Sequence, residues 1–251
     1  MKQAHIQLDK SVNAKYAILP GDPARLDHIK KYLENVEELA YNREFRSLSG
    51  YYKGMKVIAI STGIGGSSAS IAIEELHNIG VTTMIRIGSC GALQKGIQLG
   101  DLVFAEGAIR DDGTSKAYVD VTYPAVPNAR LLTYCEDYAK EMNWNYHSGI
   151  VHSHESFYID NNDVIEAEWS KKGVLGSDME TAALFTVGRL RHIKTASILN
   201  NVVVYGEDTA DSIGDYADGA SMTHEGEKRE ILVALEAMYR EDQNKWNKYY
   251  L

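Results

Sequence analysis

Basic residues are scarce relative to acidic ones: 26 Lys and Arg stand against 35 Asp and Glu, a net charge of −9. That balance argues against nucleic acid or an anionic membrane as the main partner, so any anion site must be local. No apolar run approaches the roughly 20 residues of a membrane span. The start, Met1 to Lys10, has no signal-peptide core, so a cytoplasmic protein is expected. Cysteine is limited to Cys90 and Cys135, which make no disulfide framework and have no metal-ligand spacing. Cys90 has no histidine near it in sequence, so a small buried thiol explains it better than a nucleophile. Repeats, low-complexity segments and long linkers are also missing. Residues 1–251 therefore read as a single α/β domain with enough chain to bury a substantial core.

Short apolar strands and helical stretches alternate, which fits one mixed, mostly parallel sheet with flanking helices. The segment Thr83 to Gly91 stands out because it sets a charge inside an apolar run. Met84, Ile85 and Ile87 read as a buried strand that ends in Gly88, Ser89 and Gly91. A guanidinium at Arg86 is costly there unless an anion meets it, and the small residues beyond offer backbone N–H groups. A structural arginine paired with a core carboxylate is an equal alternative from this segment alone.

Two further turns suit an anion. The strand Tyr16 to Leu19 leads into Pro20-Gly21-Asp22-Pro23-Ala24-Arg25, with Leu26, Ile29 and Leu33 at helical spacing. Asp22 suits the N-cap and Pro23 the first helical position, so Gly21 and Arg25 lie at a helix start. An ordinary capped turn with a solvated arginine is the other reading. The second turn follows the hairpin through Tyr51 to Met55 and the strand Val57 to Ser61. It reads Ser61-Thr62-Gly63-Ile64-Gly65-Gly66-Ser67-Ser68, where three glycines permit close approach of a ligand. Ser68 stands where a dinucleotide-binding motif needs its last glycine, which disfavours an oxidoreductase.

Further along, Leu99 to Gly107 reads as a strand. Asn128 to Met142 reads as a helix with Leu131, Leu132, Cys135, Tyr138 and Met142 on its buried side. Gly149 to His154 is extended, Asp178 to Leu190 helical, Thr195 to Tyr205 a strand and Glu227 to Arg240 a helix. His152 and His154, with His147 nearby, lack a third ligand. A polar strand surface accounts for them better than a metal, and no metal is expected.

Arg25, Arg43 and Arg86, with Gly21 and Ser89, form a set able to hold a phosphate dianion, since forked guanidiniums match its oxygens. Five ordered segments then make a resemblance specific. They are Gly21-Asp22-Pro23-x-Arg25, Asn42-Arg43-Glu44, the turn Ser61 to Ser70 with Ile71-Ala72-Ile73-Glu74-Glu75-Leu76, Arg86-Ile87-Gly88-Ser89-Cys90-Gly91, and Asp178-Met179-Glu180. Over nearly its whole length the chain resembles the hexameric nucleoside phosphorylase family, which contains uridine phosphorylases and the bacterial-type purine nucleoside phosphorylases.

That resemblance implies the nucleoside phosphorylase fold and cleavage of an N-glycosidic bond by inorganic phosphate, giving free base and ribose 1-phosphate in nucleoside catabolism and salvage. Phosphate is then a co-substrate, and no cofactor is implied. Gly21, Arg25, Arg86 and Ser89 match the family's phosphate ligands, and Arg43 matches an arginine reaching in from a neighbouring subunit. Met179 and Glu180 match the residues that meet the ribose hydroxyls. His5 matches the histidine a neighbouring subunit lends to the 5′ hydroxyl, and Phe157 the ring against the base. The partners implied are a small nucleoside, phosphate and further copies of the chain, in a homodimer or homohexamer with shared active sites. Some uridine phosphorylases hold a monovalent cation at the dimer interface near residues matching Glu44, Ile64 and Ser68, and the resemblance allows one here. In this scheme the arginines align the phosphate and Glu180 favours the cationic ribose of the transition state, making Arg86 and Glu180 the catalytic pair.

The base end departs from both subfamilies. Asn200-Asn201-Val202-Val203-Val204 lacks the aspartate that protonates a purine, which favours uridine as the leading substrate. Asn161-Asn162-Asp163 replaces the Gln-x-Arg pair that holds uracil in bacterial uridine phosphorylases. Candidate base contacts are Phe157, Asn161, Asp163 and Val203, with Tyr205, Asp208 and Asp211 as further options. A purine nucleoside phosphorylase is the main alternative. A nucleosidase, which has no need of three arginines, and a non-catalytic nucleoside binder are weaker ones.

Overall fold

Strand β5 (Thr83–Ala92) is the axis of the sheet, and its neighbours explain where a charge can be tolerated. The computed structural model describes residues 1–206 and 221–244. On one edge, β5 runs parallel to β9 (Lys194–Val203) from Thr83 to Gly91. On the other, β1 (Tyr16–Leu19) accompanies it only from Thr83 to Arg86. β8 (Gly176–Asp178) takes over that edge at Gly91 and Ala92. The sheet therefore forks beside Ile87 to Cys90, at the end of β1. Such a switch point is where α/β sheets open a crevice for ligands.

Beyond β1, the wing continues through β4 (Met55–Ile60), β3 (Phe45–Tyr52) and the exposed edge strand β2 (Glu34–Asn42). On the far side, β8 leads to β7 (Tyr146–His154), then to β6 (Leu102–Asp111) and back to β9. Because β9 also pairs with β5, these five strands close on themselves. The sheet is mixed: β1 with β4 and β5, β5 with β9, β6 with β7 and β7 with β8 are parallel, the others antiparallel.

Side chains alternate across β5 and so feed two cores. Met84 joins the layer under α2 (Gly66–Asn78) and α6 (Thr181–Leu190), whereas Ile85 and Ile87 join the layer under α1 (Leu26–Ile29), α4 (Ala129–Glu141) and α7 (Ser221–Gln243). By the same alternation Arg86 points into the α2–α6 side. Residues Thr181 to Gly188 of α6 are all buried, as expected of a helix enclosed by sheet and helices. The short α3 (Gly113–Tyr118) packs beside it, while α5 (Asn162–Lys171) contributes no fully buried residue.

Several boundaries differ from the sequence reading, for identifiable reasons. Gly88, Ser89 and Gly91 do not end β5; the β9 ladder carries it to Gly91 and β8 holds it through Ala92, and Gly88 marks a close approach instead. Asp178 belongs to β8, so α6 begins at Thr181 rather than at Asp178. The β6 strand starts at Leu102 because Gly100, at φ +80°, turns the chain first. Met142, expected on the buried side of α4, caps its end and is 44% exposed. The edge strand β2 has no alternating apolar pattern and was not anticipated. His152 and His154 are buried, not a polar strand surface, because Trp169 of α5 covers His152 with ring centroids 5.7 Å apart. His152 Nε2 meets Asp111 Oδ2 at 3.2 Å, and burial holds its pKa below that of an ordinary histidine. No group of three metal-ligating side chains occurs among the described residues, and no described helix is long and apolar enough to cross a membrane.

The start of α7 is fixed by backbone packing: a Cβ on Gly100 would lie 2.4 Å from the carbonyl oxygen of Met222. Gly100→Ala is expected to lower stability by about 2–4 kcal/mol through this clash and the positive φ, measured by urea denaturation.

Candidate active site

At the fork, three segments deliver charge to one buried spot. Arg86 is 6% exposed, and its guanidinium folds back along β5. Its Nε donates to Asp178 Oδ2 at 3.0 Å and its Nη2 meets Glu180 Oε2 at 2.6 Å. A Cβ on Gly88 would lie 2.5 Å from Nη2, so only glycine two positions along the strand leaves room for this rotamer. Burial acts to lower the arginine's pKa, but the Glu180 and Asp178 carboxylates outweigh it and the net shift is upward. It is a permanent cation.

The two carboxylates differ in how they are held. Asp178 accepts from the Thr181 N–H at 3.0 Å, from Thr181 Oγ1 at 2.6 Å and from Ser153 Oγ at 2.5 Å, besides Arg86. It caps α6 and is fully engaged in orienting the arginine. Glu180 accepts from the Gly65 N–H at 2.5 Å and pairs with Arg86. Burial pushes its carboxyl above the ordinary glutamate range, against the pull of Arg86. Gly65, at φ +87°, belongs to the glycine turn before α2, and so the third segment reaches the same spot.

Arg25 is 7% exposed, which rules out the solvated arginine of an ordinary turn. Asp22 caps the turn by accepting from the Ala24 N–H at 2.8 Å, as its position suggested. Gly21 packs against the glycine turn, its carbonyl accepting from the Gly63 N–H at 3.0 Å. From α7, Glu230 Oε1 lies 3.4 Å from Arg25 Nη1, and Glu227 reaches Arg25 Nε at 3.9 Å while bonding His28 Nδ1. Glu230 Oε2 accepts the Gly88 N–H at 3.1 Å. This N–H, expected to be free for an anion, is thus taken by a carboxylate. Glu230 is fully buried, and desolvation raises its pKa well above the ordinary value, with both Arg25 and Arg86 close enough to oppose that. Ser89 lies one residue beyond, partly exposed and level with Asn200 of β9.

The fork opens into a cavity of about 600 Å³. Gly91 and Ala92 of β5 form one wall, Val203 to Gly206 another, and the stretch Phe157 to Asp160 with Asn162, Asp163 and Glu166 of α5 the rest. From Gly88, where the Arg86 guanidinium rests, to Gly91 the strand advances roughly 10 Å, the reach of a sugar carrying a base. Of the candidate base contacts, Phe157, Asp163, Val203 and Tyr205 line this cavity. Asn161 does not: it is exposed at the start of α5, where Asn162 faces the cavity in its place. Met179, partly buried, sits between Asp178 and Glu180. Asp208 and Asp211 lie outside the described residues.

Two expected site residues stand elsewhere. Arg43, exposed at φ +55°, and His5, with a half-buried ring, are neighbours through Asn42, whose side chain donates to the His5 carbonyl at 2.8 Å. Glu44 and Ser68 are joined by a 2.6 Å hydrogen bond beside Ile64, which is 80% exposed. Sequence reading missed Asp178, Glu227 and Glu230 as site residues. Asp178 was discoverable as the first member of Asp-Met-Glu, whereas the two glutamates carry no signal beyond their three-residue spacing on α7.

Crevice position, buried arginines and an adjoining cavity describe an anion-dependent site for a small organic substrate. A model of the phosphorylase superfamily matches residues 15–226, and the chain belongs to that superfamily. Among solved structures, it is similar to uridine phosphorylase from Vibrio fischeri ES114, with 46% identity, a TM-score of 0.89 and coverage of 95% of this chain and 97% of that one. Guanosine phosphorylase of Halorubrum lacusprofundi is 35% identical over 94% of this chain and 98% of its own length. Uridine phosphorylase of Thermococcus kodakarensis is also 35% identical, over 94% of this chain and 85% of its own.

Gly88→Ala tests the site, since its Cβ would lie 2.5–3.0 Å from Arg86 Nη2, Cζ and Nη1 and push the guanidinium off Asp178 and Glu180. Phosphate should raise the melting temperature of the wild type but not of Gly88→Ala, whose own melting temperature falls because the buried ion pairs are disturbed.

Proposed function

We propose that the chain is a nucleoside phosphorylase, cleaving the N-glycosidic bond of a ribonucleoside with inorganic phosphate, with uridine as its leading substrate. The observation that carries this reading is the pair of buried arginines, Arg25 and Arg86, brought together about Gly88, on the strand whose later residues, Gly91 and Ala92, line a cavity of about 600 Å³. Phosphate enters between them with Gly21 and Ser89, and Glu180 lies beside it. Attack on C1′ leaves the ribose with oxocarbenium character, which the Glu180 carboxylate favours, while Arg86 holds both the nucleophile and Glu180 in line. Met179 and Glu180 meet the ribose hydroxyls. The base occupies the cavity against Phe157 and Val203, within reach of Asp163 and Tyr205. A water nucleophile needs no cluster of cations beside it, which favours phosphorolysis over hydrolysis.

In this proposal the working unit holds at least two copies of the chain. Arg43 and His5 share one exposed patch and complete the phosphate and ribose ends of a neighbouring site. Glu44, Ile64 and Ser68 on the same face are the place for a monovalent cation at the dimer interface. A purine nucleoside phosphorylase is the second reading, favoured by a cavity whose described lining holds three carboxylates, Asp160, Asp163 and Glu166, and no Lys or Arg. A cytoplasmic location goes with either reading.

Product release from uridine, inosine, guanosine and adenosine, each with and without phosphate, tests reaction and base together. Phosphate-dependent uracil release is the expected result; release without phosphate overturns the proposal, and purine release moves it to the second reading. The shared site has its own test. Arg43→Ala and Glu180→Ala should each be nearly inactive, and dissociating and reassembling the two together should restore activity, because every mixed pair contains one intact site. Subunits that act alone give no recovery.

A further inference from the structure

Glu75 is assigned no part in the chemistry above, yet its carboxylate is spent entirely on one short segment. It lies on the buried side of α2. Oε1 accepts from the His5 N–H at 3.1 Å and meets the His5 ring at Nδ1 at 2.8 Å. Oε2 accepts from the His5 N–H at 3.0 Å and the Ile6 N–H at 2.8 Å. Ile6 is fully buried in the α2–α6 core and Asn42 holds the His5 carbonyl. His5 is thus fixed on both sides of its backbone and at one ring nitrogen, on a segment with no regular structure of its own. A side chain needed only to anchor this segment would have no use for the ring contact.

The chemistry of that contact sets the tautomer. An ionised carboxylate only accepts hydrogen bonds, and burial, which would favour the neutral form, is outweighed here by the backbone and ring donors, so the Glu75 pKa is lowered. Nδ1 must therefore carry the proton. In the neutral ring Nε2 is then a lone pair pointing away from α2, able to accept but not to donate. No described group of the chain bonds it.

We infer that Glu75 is a positioning residue for substrate selection: it fixes the orientation and tautomer of His5 so that Nε2 accepts a hydroxyl hydrogen, giving nucleosides with a free 5′-hydroxyl an advantage over those without one. The inference rests on the reading above, in which His5 meets the ribose 5′ end. Substrates lacking that donor, such as 5′-deoxy nucleosides, leave Nε2 unpaired and bind less well.

The test compares wild type, Glu75→Gln and His5→Ala on the best nucleoside of the substrate panel and on its 5′-deoxy analogue, at saturating phosphate. Glu75→Gln keeps an oxygen for the Ile6 N–H but presents an N–H to the ring, which reverses the tautomer. Its KM for the 5′-hydroxy substrate should rise about tenfold with kcat within about threefold, while its constants for the 5′-deoxy analogue match wild type. The double variant should be no worse than His5→Ala. Equal losses on both substrates would mean that Glu75 only supports the fold and would overturn the inference. Long-range ¹H–¹⁵N spectra of the wild type, with His5 assigned by His5→Ala, decide the tautomer without turnover: an unprotonated Nδ1 refutes it. Absence of any phosphate-dependent turnover overturns the phosphorylase reading instead.

Discussion

A guanidinium without water is the constraint on which the site is built. Arg86 occupies a strand position that would otherwise carry a core side chain, and removing its charge from solvent is costly unless anions replace the lost hydration. Asp178 and Glu180 do this from the start of α6. The division of labour follows from their surroundings. Asp178, with Thr181 and Ser153 as further donors, is saturated and stays with the arginine. Glu180 shares its charge among Arg86 and the backbone N–H groups of Gly65 and Met179, with no side-chain hydroxyl donating to it as Thr181 and Ser153 do to Asp178. A buried ion pair contributes little to stability by itself, so its presence makes most sense as a prepared electrostatic environment.

The second cation repeats this logic from the other face of the sheet. Arg25 is backed by Glu230 and Glu227, and Glu230 also satisfies the Gly88 N–H where β1 has ended and β8 has not begun. One long helix thereby closes the backbone accounting at the fork and holds the Arg25 guanidinium in place. Packing at Gly100 and Met222, which looks remote from the chemistry, sets where those two glutamates arrive.

Much of this was legible in the sequence because the signals were local. The glycine turn at Gly63 to Gly66, the Asp22 cap and the charged residue in an apolar strand each reflect a backbone or solvation constraint visible within ten residues. The illegible parts were set by tertiary partners. Gly88 and Gly91 look like a strand end, and pairing with β9, joined at Gly91 by β8, keeps them in the sheet. Glu230 reads as a surface glutamate of an amphipathic helix until the fork in the sheet requires an acceptor there. Asn161 and Asn162 are chemically alike, and which of them faces the cavity depends on where α5 begins. His152 and His154 gave the pattern of an exposed strand because the cover from Trp169 comes from a separate helix.

The helix α5 has no fully buried residue, yet it lines the cavity with Asn162, Asp163 and Glu166. Substitutions at these three positions leave Trp169 over His152 and the pairs of Arg86 with Asp178 and Glu180 untouched. Selection can therefore explore new base preferences along α5 at almost no risk to folding or to the reacting centre. Lineages sharing this scaffold are free to diverge in the nucleoside they consume while the bond-breaking apparatus stays fixed.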